Sequence, residues 1–287
     1  MTANSVPGYT GGILNMTGVR PGEAFRYDGP TMPKQVYFTQ SFTSTYEAIE
    51  RLIVPPPLKV DRDMPPEVQI MYFTNIGNVA FDGRPAPYQA CMFMARVKHG
   101  DLAGRAGWEY VDGVHGDKTD MDVMGSWSVY FGMLKKFADI RFYPVGVNEF
   151  EMTVTRRGVR LVTMRLSLGA ELPAETVAQL NAATATSGAT LTVREIPDQS
   201  YTGFVDRAIC VAPSNGNTIS RAFSAEAGPL EFGHLDLDPL DELPVLGTHG
   251  AAAFDLCSEK ELFTQMRVLE HLPRDVPQPA DRALATR

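Results

Sequence analysis

The chain has 287 residues, of which 44% are hydrophobic and 21% charged, and its formal net charge is −8. This length and composition are those of a globular protein with a sizeable core. The acidic balance disfavours non-specific binding to nucleic acid or to an anionic membrane, because both need a concentrated basic face. No apolar run reaches the roughly 20 residues of a membrane-spanning helix, and the start of the chain lacks the basic and apolar segments of a secretory signal. Three widely spaced cysteines with apolar neighbours, Cys91, Cys210 and Cys257, are typical of reduced core thiols. We therefore expect a cytoplasmic protein.

The N-terminal half reads as an irregular arm followed by strands. Residues 1–30 are rich in Gly, Pro and Thr and show no period, which predicts an arm without regular structure. "KQVYFTQSF", "EVQIMYFTNI" and "YQACMFMARV" have the length and β-rich composition of strands. Between the first two, Ser44 and Glu47 fit a capping box that opens a short helix, and Pro55-Pro56-Pro57 ends it.

The C-terminal half predicts a hairpin, two helices and further strands. In "EFEMTVTRRGVRLVTMRLSL" two alternating runs flank a turn at Arg156-Arg157-Gly158. "AETVAQLNAAT" predicts a surface helix, and "ATLTVREI" and "GFVDRAICVA" predict strands. A third helix is expected to begin with a capping box at Ser258, to bury Leu262, Met266 and Leu269, and to stop at Pro273.

Many strands with a few separate helices indicate an α+β fold with an antiparallel sheet or barrel at its centre. We expect one domain over residues 31–272. The polar, proline-rich segment 273–287 is typical of a disordered tail.

Common cofactor sites find no support in the sequence. None of the five histidines pairs with another His, Cys or Glu at zinc-ligand spacing, so we expect no metal. A Walker loop and a strand-linked G-x-G-x-x-G are both missing, so we expect no cofactor.

The stretch "YFGMLKKFADIRF" places Lys135 and Lys136 inside an apolar run. On a solvated face, their aliphatic stems would simply cover apolar surface. In a buried site, desolvation and a cationic neighbour would lower the pKa of one amine, which could then attack a carbonyl carbon. If the segment is a strand, the two side chains point to opposite faces and burial must supply most of the shift; a helix or turn would bring the amines closer.

The chain resembles the acetoacetate decarboxylase superfamily. "VYFTQSFTSTYEAIERLIVPPPLKV" is similar to the family's strand, short helix and P-x-P-L segment, "GMLKKFADIRF" to its active-site lysine motif, and "GPLEFGHLDLDPLDELPVLGTHGAAAFDL" to its PL-x-DLPV segment. The resemblance, over most of residues 34–272, implies an antiparallel β-barrel-like double sheet flanked by a few helices, assembled as a homo-oligomer. It also implies that Lys135 forms a Schiff base and that Lys136 is its cationic neighbour, the activation known for acetoacetate decarboxylase itself.

The chain departs from the family where charged groups surround the amine. Ala90 and the segment from Trp127 to Val129 stand where the family has acidic or arginine side chains. We therefore expect a larger, more apolar pocket and a substrate other than acetoacetate, with Tyr88 and Gln89 beside Trp127 and Val129 as substrate-binding residues.

Further acid–base candidates lie in the polar segment before the lysines. Glu109, His115, Asp120 and Asp122 could supply an acid or base, although a solvated loop is the expectation for this segment. Arg141 is a candidate carboxylate anchor, because six residues put it on the face of Lys135 in an extended chain.

Three functions stay open at this point. The first is a Schiff-base lyase, decarboxylase-like, acting on a keto acid or related small carbonyl compound. The second is an aldolase-dehydratase that uses the same lysine on pyruvate and an aldehyde. The third is a non-catalytic member that binds a small ligand.

Overall fold

The computed structural model describes residues 32–75, 87–113, 128, 132–186, 189–200, 202–212, 217–258 and 266–274. The predicted arm over residues 1–30 lies outside these residues, as does the predicted tail from residue 275 onward. The division into an arm, one domain and a tail therefore stays a prediction.

Strands dominate the described part of the chain. In chain order they are β1 (Met32–Thr43), β2 (Lys59–Val60), β3 (Glu67–Asn75), β4 (Tyr88–His99), β5 (Leu102–Gly113), β6 (Lys135–Phe137), β7 (Asp139–Pro144), β8 (Glu149–Arg156), β9 (Val159–Glu171), β10 (Ala189–Pro197), β11 (Phe204–Ala212), β12 (Asn217–Phe232), β13 (His234–Leu235), β14 (Asp238–Pro239), β15 (Gly247–Ser258) and β16 (Arg267–His271).

Fourteen of these strands form one sheet, and β13 pairs with β14 separately. The sheet runs in the order β16-β11-β10-β5-β4-β3-β1-β15-β12-β9-β8-β7, with β2 beside β4 and β6 beside β5. Pairing is antiparallel except where β5 meets β10 and β6 in parallel. Within the described residues this path stays open, because its end strands β16 and β7 do not pair with each other. The predicted α+β class, built on a large and mostly antiparallel sheet, is confirmed.

The hairpin of β8 and β9 forms as predicted. Arg157 and Gly158 connect the strands with φ values of 51° and 79°, and a glycine accepts this left-handed backbone without steric cost.

Two α-helices with described bounds flank the sheet in this part of the chain. The first, α1 (Tyr46–Leu52), is capped by Thr45, whose Oγ1 accepts from the amide of Ala48 at 3.2 Å. The predicted capping by Ser44 is wrong by one residue, since Thr45 has the extended backbone that aims its hydroxyl at the first turn. The second, α2 (Ala174–Thr186), matches the predicted surface helix. Neither is long and apolar enough to cross a membrane.

The third predicted helix is wrong where the structure describes it. Ser258 ends β15, and Leu269 lies in the exposed strand β16, which pairs with β11. The residues between, 259–265, lie outside the described part of the chain. Hydrogen bonding to a neighbouring strand overrides the local helical period of this short segment.

The central strands bury a core on one face. Cross-strand partners share a face of a sheet, so this core face carries Phe42, Ile70, Phe93 and Tyr110, each fully buried. Trp108 lies between Phe93 and Tyr110, with ring centroids 4.9 Å from each.

The opposite face, which we call the amine face, carries the candidate site. One row of partners crosses it from β1 to β6 through Thr39, Met71, Met92, Glu109 and Lys135. The sheet register thus places the only charged members of this row side by side at its β5–β6 end.

Candidate active site

A buried amine and a buried carboxyl meet where β6 joins β5. Lys135 and Glu109 are partners in this parallel pairing, and the Lys135 Nζ contacts Glu109 Oε1. Their side chains are only 3% and 1% exposed. The other carboxyl oxygen, Glu109 Oε2, has no hydrogen-bond partner among the described residues. A buried amine in contact with a buried carboxyl is an arrangement that acid–base chemistry can use.

Backbone hydrogen bonds fix the amine in this position. The amide of Glu109 donates to Leu134 O at 3.0 Å, and the amide of Ala138 donates to Val111 O at 3.1 Å. The amide of Lys135 donates to Ser128 Oγ at 3.3 Å. Bonds on both sides of the three-residue strand therefore set its register against β5.

Burial lowers the proton affinity of the amine. Loss of solvation lowers the pKa of Lys135 from 10.5 to about 7. The Lys135 segment is an extended strand, in which the next side chain points to the opposite face. The lowering of the pKa is therefore attributed to burial, as expected for a strand.

Lys136 does not act as the cationic neighbour of Lys135. Its side chain points to the core face, where Nζ lies 2.5 Å from Asp238 Oδ1 and 4.6 Å from the centre of the Trp108 ring. The expected role of Lys136 in lowering the pKa is therefore wrong, because alternation along β6 separates the two amines.

Asp238 collects three partners on the core face. Besides Lys136, Arg156 Nη1 contacts its Oδ2, and the Tyr110 hydroxyl donates to its Oδ1 at 3.0 Å. The carboxylate is buried, whereas Lys136 and Arg156 are about one quarter exposed. Asp238 thereby ties β6 to β5 and β8. Sequence analysis did not single it out, although it lies inside the family-like "LDLDPLDELPV" segment.

Glu109 is likewise better placed than predicted. The sequence suggested a solvated loop, but Glu109 lies within β5 and is buried. The polar residues that follow Glu109 in the sequence predicted a loop that begins too early in the chain. His115, Asp120 and Asp122 lie outside the described residues.

The predicted substrate-binding residues divide between the two faces. Tyr88 lies on the amine face, with its ring centre 6.0 Å from the Lys135 Nζ. Gln89 lies on the core face, where it accepts from the Tyr72 hydroxyl and donates to the carbonyls of Gly113 and Ile140. The strand turns the Gln89 side chain away from the amine, and both N–H groups of its amide donate to backbone carbonyls there, so the structure does not bring Gln89 to the amine face.

Two further predictions concern residues around the amine. Trp127 and Val129 lie outside the described residues, so their predicted contacts with substrate stay predictions. Arg141 is exposed on β7, on a strand that pairs with β8 and not with β6, so it does not serve as the carboxylate anchor.

The described residues contain no cluster of three or more His, Cys, Asp or Glu side chains that could hold a metal ion.

Comparison with known proteins decides the family. The family profile described as acetoacetate decarboxylase (ADC) matches residues 17–263, which is most of the chain. The chain belongs to the acetoacetate decarboxylase family. Family membership supports an activity of the lyase kind. No curated protein matches the chain significantly by sequence.

Solved structures of the acetoacetate decarboxylase fold resemble this one. An acetoacetate decarboxylase structure superposes with a TM-score of 0.67 at 14% identity, covering 85% of this chain and 91% of its own. Acetoacetate decarboxylase from Legionella pneumophila gives 0.64 at 14% identity, covering 94% and 99%. The enduracididine biosynthesis enzyme MppR, complexed with the condensation product of pyruvate and imidazole 4-carboxaldehyde, gives 0.57 at 15% identity, covering 86% and 92%.

Proposed function

We propose that the protein is a Schiff-base lyase that acts on a keto acid or related carbonyl compound through Lys135. The observation that carries the proposal is the burial of the Lys135 amine against the Glu109 carboxyl. An ordinary lysine is protonated at neutral pH and cannot attack a carbonyl carbon, whereas an amine with a pKa of about 7 is about half free base at that pH.

The reaction begins with imine formation. The neutral Nζ attacks the carbonyl carbon, and one of its protons moves to the carbonyl oxygen to give a neutral carbinolamine. The carbinolamine hydroxyl then takes a second proton, relayed by the Glu109 carboxyl, and leaves as water, so that a protonated imine remains. In a β-keto acid, the electron pair of the bond to the carboxylate then flows into the iminium, releasing CO2 and forming an enamine. The enamine takes a proton at carbon, and water hydrolyses the imine to return ketone and amine.

Glu109 is the group that we assign to proton transfer in these steps. Its Oε1 touches the amine and its Oε2 has no partner among the described residues, so one carboxyl can relay a proton between nitrogen and substrate. Both oxygens are buried, which keeps competing water away from the proton.

The proposed substrate is a small carbonyl compound larger than acetoacetate. Ala90, Met92 and Val111 surround the Glu109 position on the amine face, and all three are apolar. An apolar surrounding of the amine favours a hydrocarbon chain over a charged one, and the chemistry requires no cofactor, because the iminium itself accepts the electron pair.

An aldolase-dehydratase is the second candidate. The likeness to MppR, whose structure holds a pyruvate condensation product, favours it. The same lysine would then form its imine with pyruvate, and the resulting enamine would attack an aldehyde. A non-catalytic binding role is less favoured, because it gives no reason for a buried lysine of lowered pKa.

The test is borohydride trapping with a panel of β-keto acids, pyruvate and aromatic aldehydes. Reduction of an imine fixes the carbonyl compound to the protein, and peptide mass locates it. We expect one adduct on Lys135, none in Lys135→Met, and an unchanged adduct in the exposed-site control Lys98→Met. If a substrate is turned over but never trapped on Lys135, the Schiff-base mechanism is wrong. Trapping with pyruvate but not with β-keto acids would select the aldolase-dehydratase.

A further inference from the structure

Two arginines face each other on the amine face, away from the lysine. Arg96 on β4 and Arg105 on β5 are direct cross-strand partners. Arg105 precedes Glu109 by four residues, so alternation puts both side chains on the same face of β5. The pair therefore shares a surface with Lys135.

Neither guanidinium has an acidic partner in the described part of the chain. Arg105 Nη1 donates to Gln69 Oε1 at 2.5 Å, while its buried Nε has no hydrogen-bond partner there. The acid nearest in register is Glu67, and its carboxylate bonds His249 Nε2 at 3.0 Å instead. Burial, together with the charge of Arg96, lowers the pKa of Arg105.

This arrangement has an energetic cost that a ligand would remove. Like charges directly opposite in a sheet repel, and a buried donor without an acceptor loses its hydration. A carboxylate or phosphate oxygen between the two guanidiniums would satisfy the free Nε and neutralise the repulsion. Planar guanidinium groups bind such anions in bidentate fashion.

Apolar residues lie between the arginine pair and the lysine on this face. The intervening same-face position on β5 is Gly107, which has no side chain, and its cross-strand partner is Met94. A Cβ at Gly107 would lie 1.8 Å from Phe93 O, so this position accepts no side chain. Met92, two residues before Met94 on β4, is the cross-strand partner of Glu109. Flexible thioether side chains adapt to a hydrocarbon chain that crosses them.

We propose that Arg96 and Arg105 bind a distal anionic group of the substrate whose carbonyl reacts at Lys135. The substrate class is then a carbonyl compound with an apolar chain that ends in a carboxylate or phosphate. Four residues of strand separate the two ends of the site by roughly 13 Å between Cα atoms. The inference rests on the proposed function for the reacting end, while the arginine pair can be tested by itself.

Binding without chemistry is the first measurement. Calorimetric titration of the full-length protein with suberate, and separately with inorganic phosphate, reports anion binding that needs no imine. We expect one of the two to bind, and Arg105→Gln to weaken it by about tenfold or more, since a charge-assisted hydrogen bond is lost. Arg105→Lys should recover part of the affinity, and the exposed Arg141→Gln is the matched control that leaves it unchanged. The exposed Arg96→Gln provides a second variant if Arg105→Gln does not fold.

Imine trapping then connects the two ends of the site. Wild-type protein should be half-trapped by 2-oxosuberate at a concentration about tenfold below that of 2-oxooctanoate, which lacks the distal carboxylate, and Arg105→Gln should abolish this difference. If both keto acids are trapped on Lys135 equally well, the inference is overturned and the proposed function stands. Anion binding that depends on Arg105 in a protein that traps no carbonyl compound would instead support the arginine site and remove the proposed function. Anion binding that is missing, or unchanged in Arg105→Gln and Arg96→Gln, overturns the arginine site.

Discussion

Lys135 and Lys136 are consecutive in the chain, yet their amines lie on opposite faces of the sheet. Lys135 contacts Glu109 in a dry site, and Lys136 contacts Asp238 beside Trp108. One dipeptide therefore supplies two chemically distinct groups, an amine of lowered pKa and an ammonium held by an ion pair.

The rate of imine trapping should follow the titration of a single buried amine. Because the neutral form attacks, the rate should rise with pH through a midpoint of about 7 and then level off. Burial causes the shift, so Lys136→Gln should keep the same midpoint. The measurement is the pH dependence of borohydride trapping in both proteins. A midpoint that rises by a whole unit in Lys136→Gln would show that the neighbouring charge matters after all.

The buried amine should also make folding stability depend on pH. In the unfolded chain the lysine keeps its proton up to about pH 10.5, while in the folded protein it loses it near pH 7. The unfolded state thus binds more protons between these values, and stability rises with pH there by up to about 1.4 kcal/mol per unit. Below about pH 7 the amine is protonated in both states, so the loss of folding stability caused by burying it has its full size and no longer changes with pH. Urea unfolding across this range should show that the free energy of unfolding of the wild type increases relative to that of Lys135→Met as pH rises. Parallel curves for the two proteins would contradict the lowered pKa.

Removing the carboxyl beside the amine should slow turnover more than imine formation. In Glu109→Gln the amine stays buried, but the group that relays protons is gone, so kcat should fall by about 100-fold or more. Trapping on Lys135 should persist, and this result would distinguish a role of Glu109 in proton transfer from a role in positioning the amine. Steady-state kinetics and peptide mass on the same preparation provide the two readouts. The exposed Glu226→Gln is the control; undiminished kcat in Glu109→Gln would remove Glu109 from the mechanism.

Loss of the Asp238 carboxylate should destabilise the fold. Asp238→Asn leaves Lys136 and Arg156 without their buried counter-charge. Both cations are partly exposed and can regain water, so we expect a loss of about 2 kcal/mol, below that for a fully buried pair. Chemical denaturation measures it. Asp63→Asn, which breaks the exposed pair with Lys98, should cost under about 1 kcal/mol and serves as the matched comparison. Equal effects at the two positions would show that Asp238 has no special role.

The sequence was informative where local pattern and local structure agree. The apolar run around Lys135 left a solvated and a buried lysine both open, and alternation correctly indicated that a strand would separate its amine from that of Lys136. The turn at Arg157 and Gly158 followed from residue type alone. In each case the determining interactions lie within a few residues.

What the sequence could not provide depends on pairing between distant segments. Glu109 meets Lys135 only because β6 joins β5 in parallel, and the faces of Tyr88 and Gln89 follow from the register of β4. Asp238 is 102 residues from Lys136. The helix predicted around Leu269 failed for the same reason, since its segment pairs with β11.

Two consecutive lysines would allow β6 to pair with β5 one residue out of register, and Asp238 disfavours that shifted register. If β6 slipped by one residue so that Lys136 faced Glu109, a lysine would still occupy the dry site, and Phe137 would point at the buried carboxylate of Asp238. Because a slip of one residue reverses every side chain of a strand, the aspartate would exchange its ammonium for an apolar ring. The salt bridge between Lys136 and Asp238 on the core face therefore disfavours a shifted register that the contact with Glu109 on the amine face alone would allow.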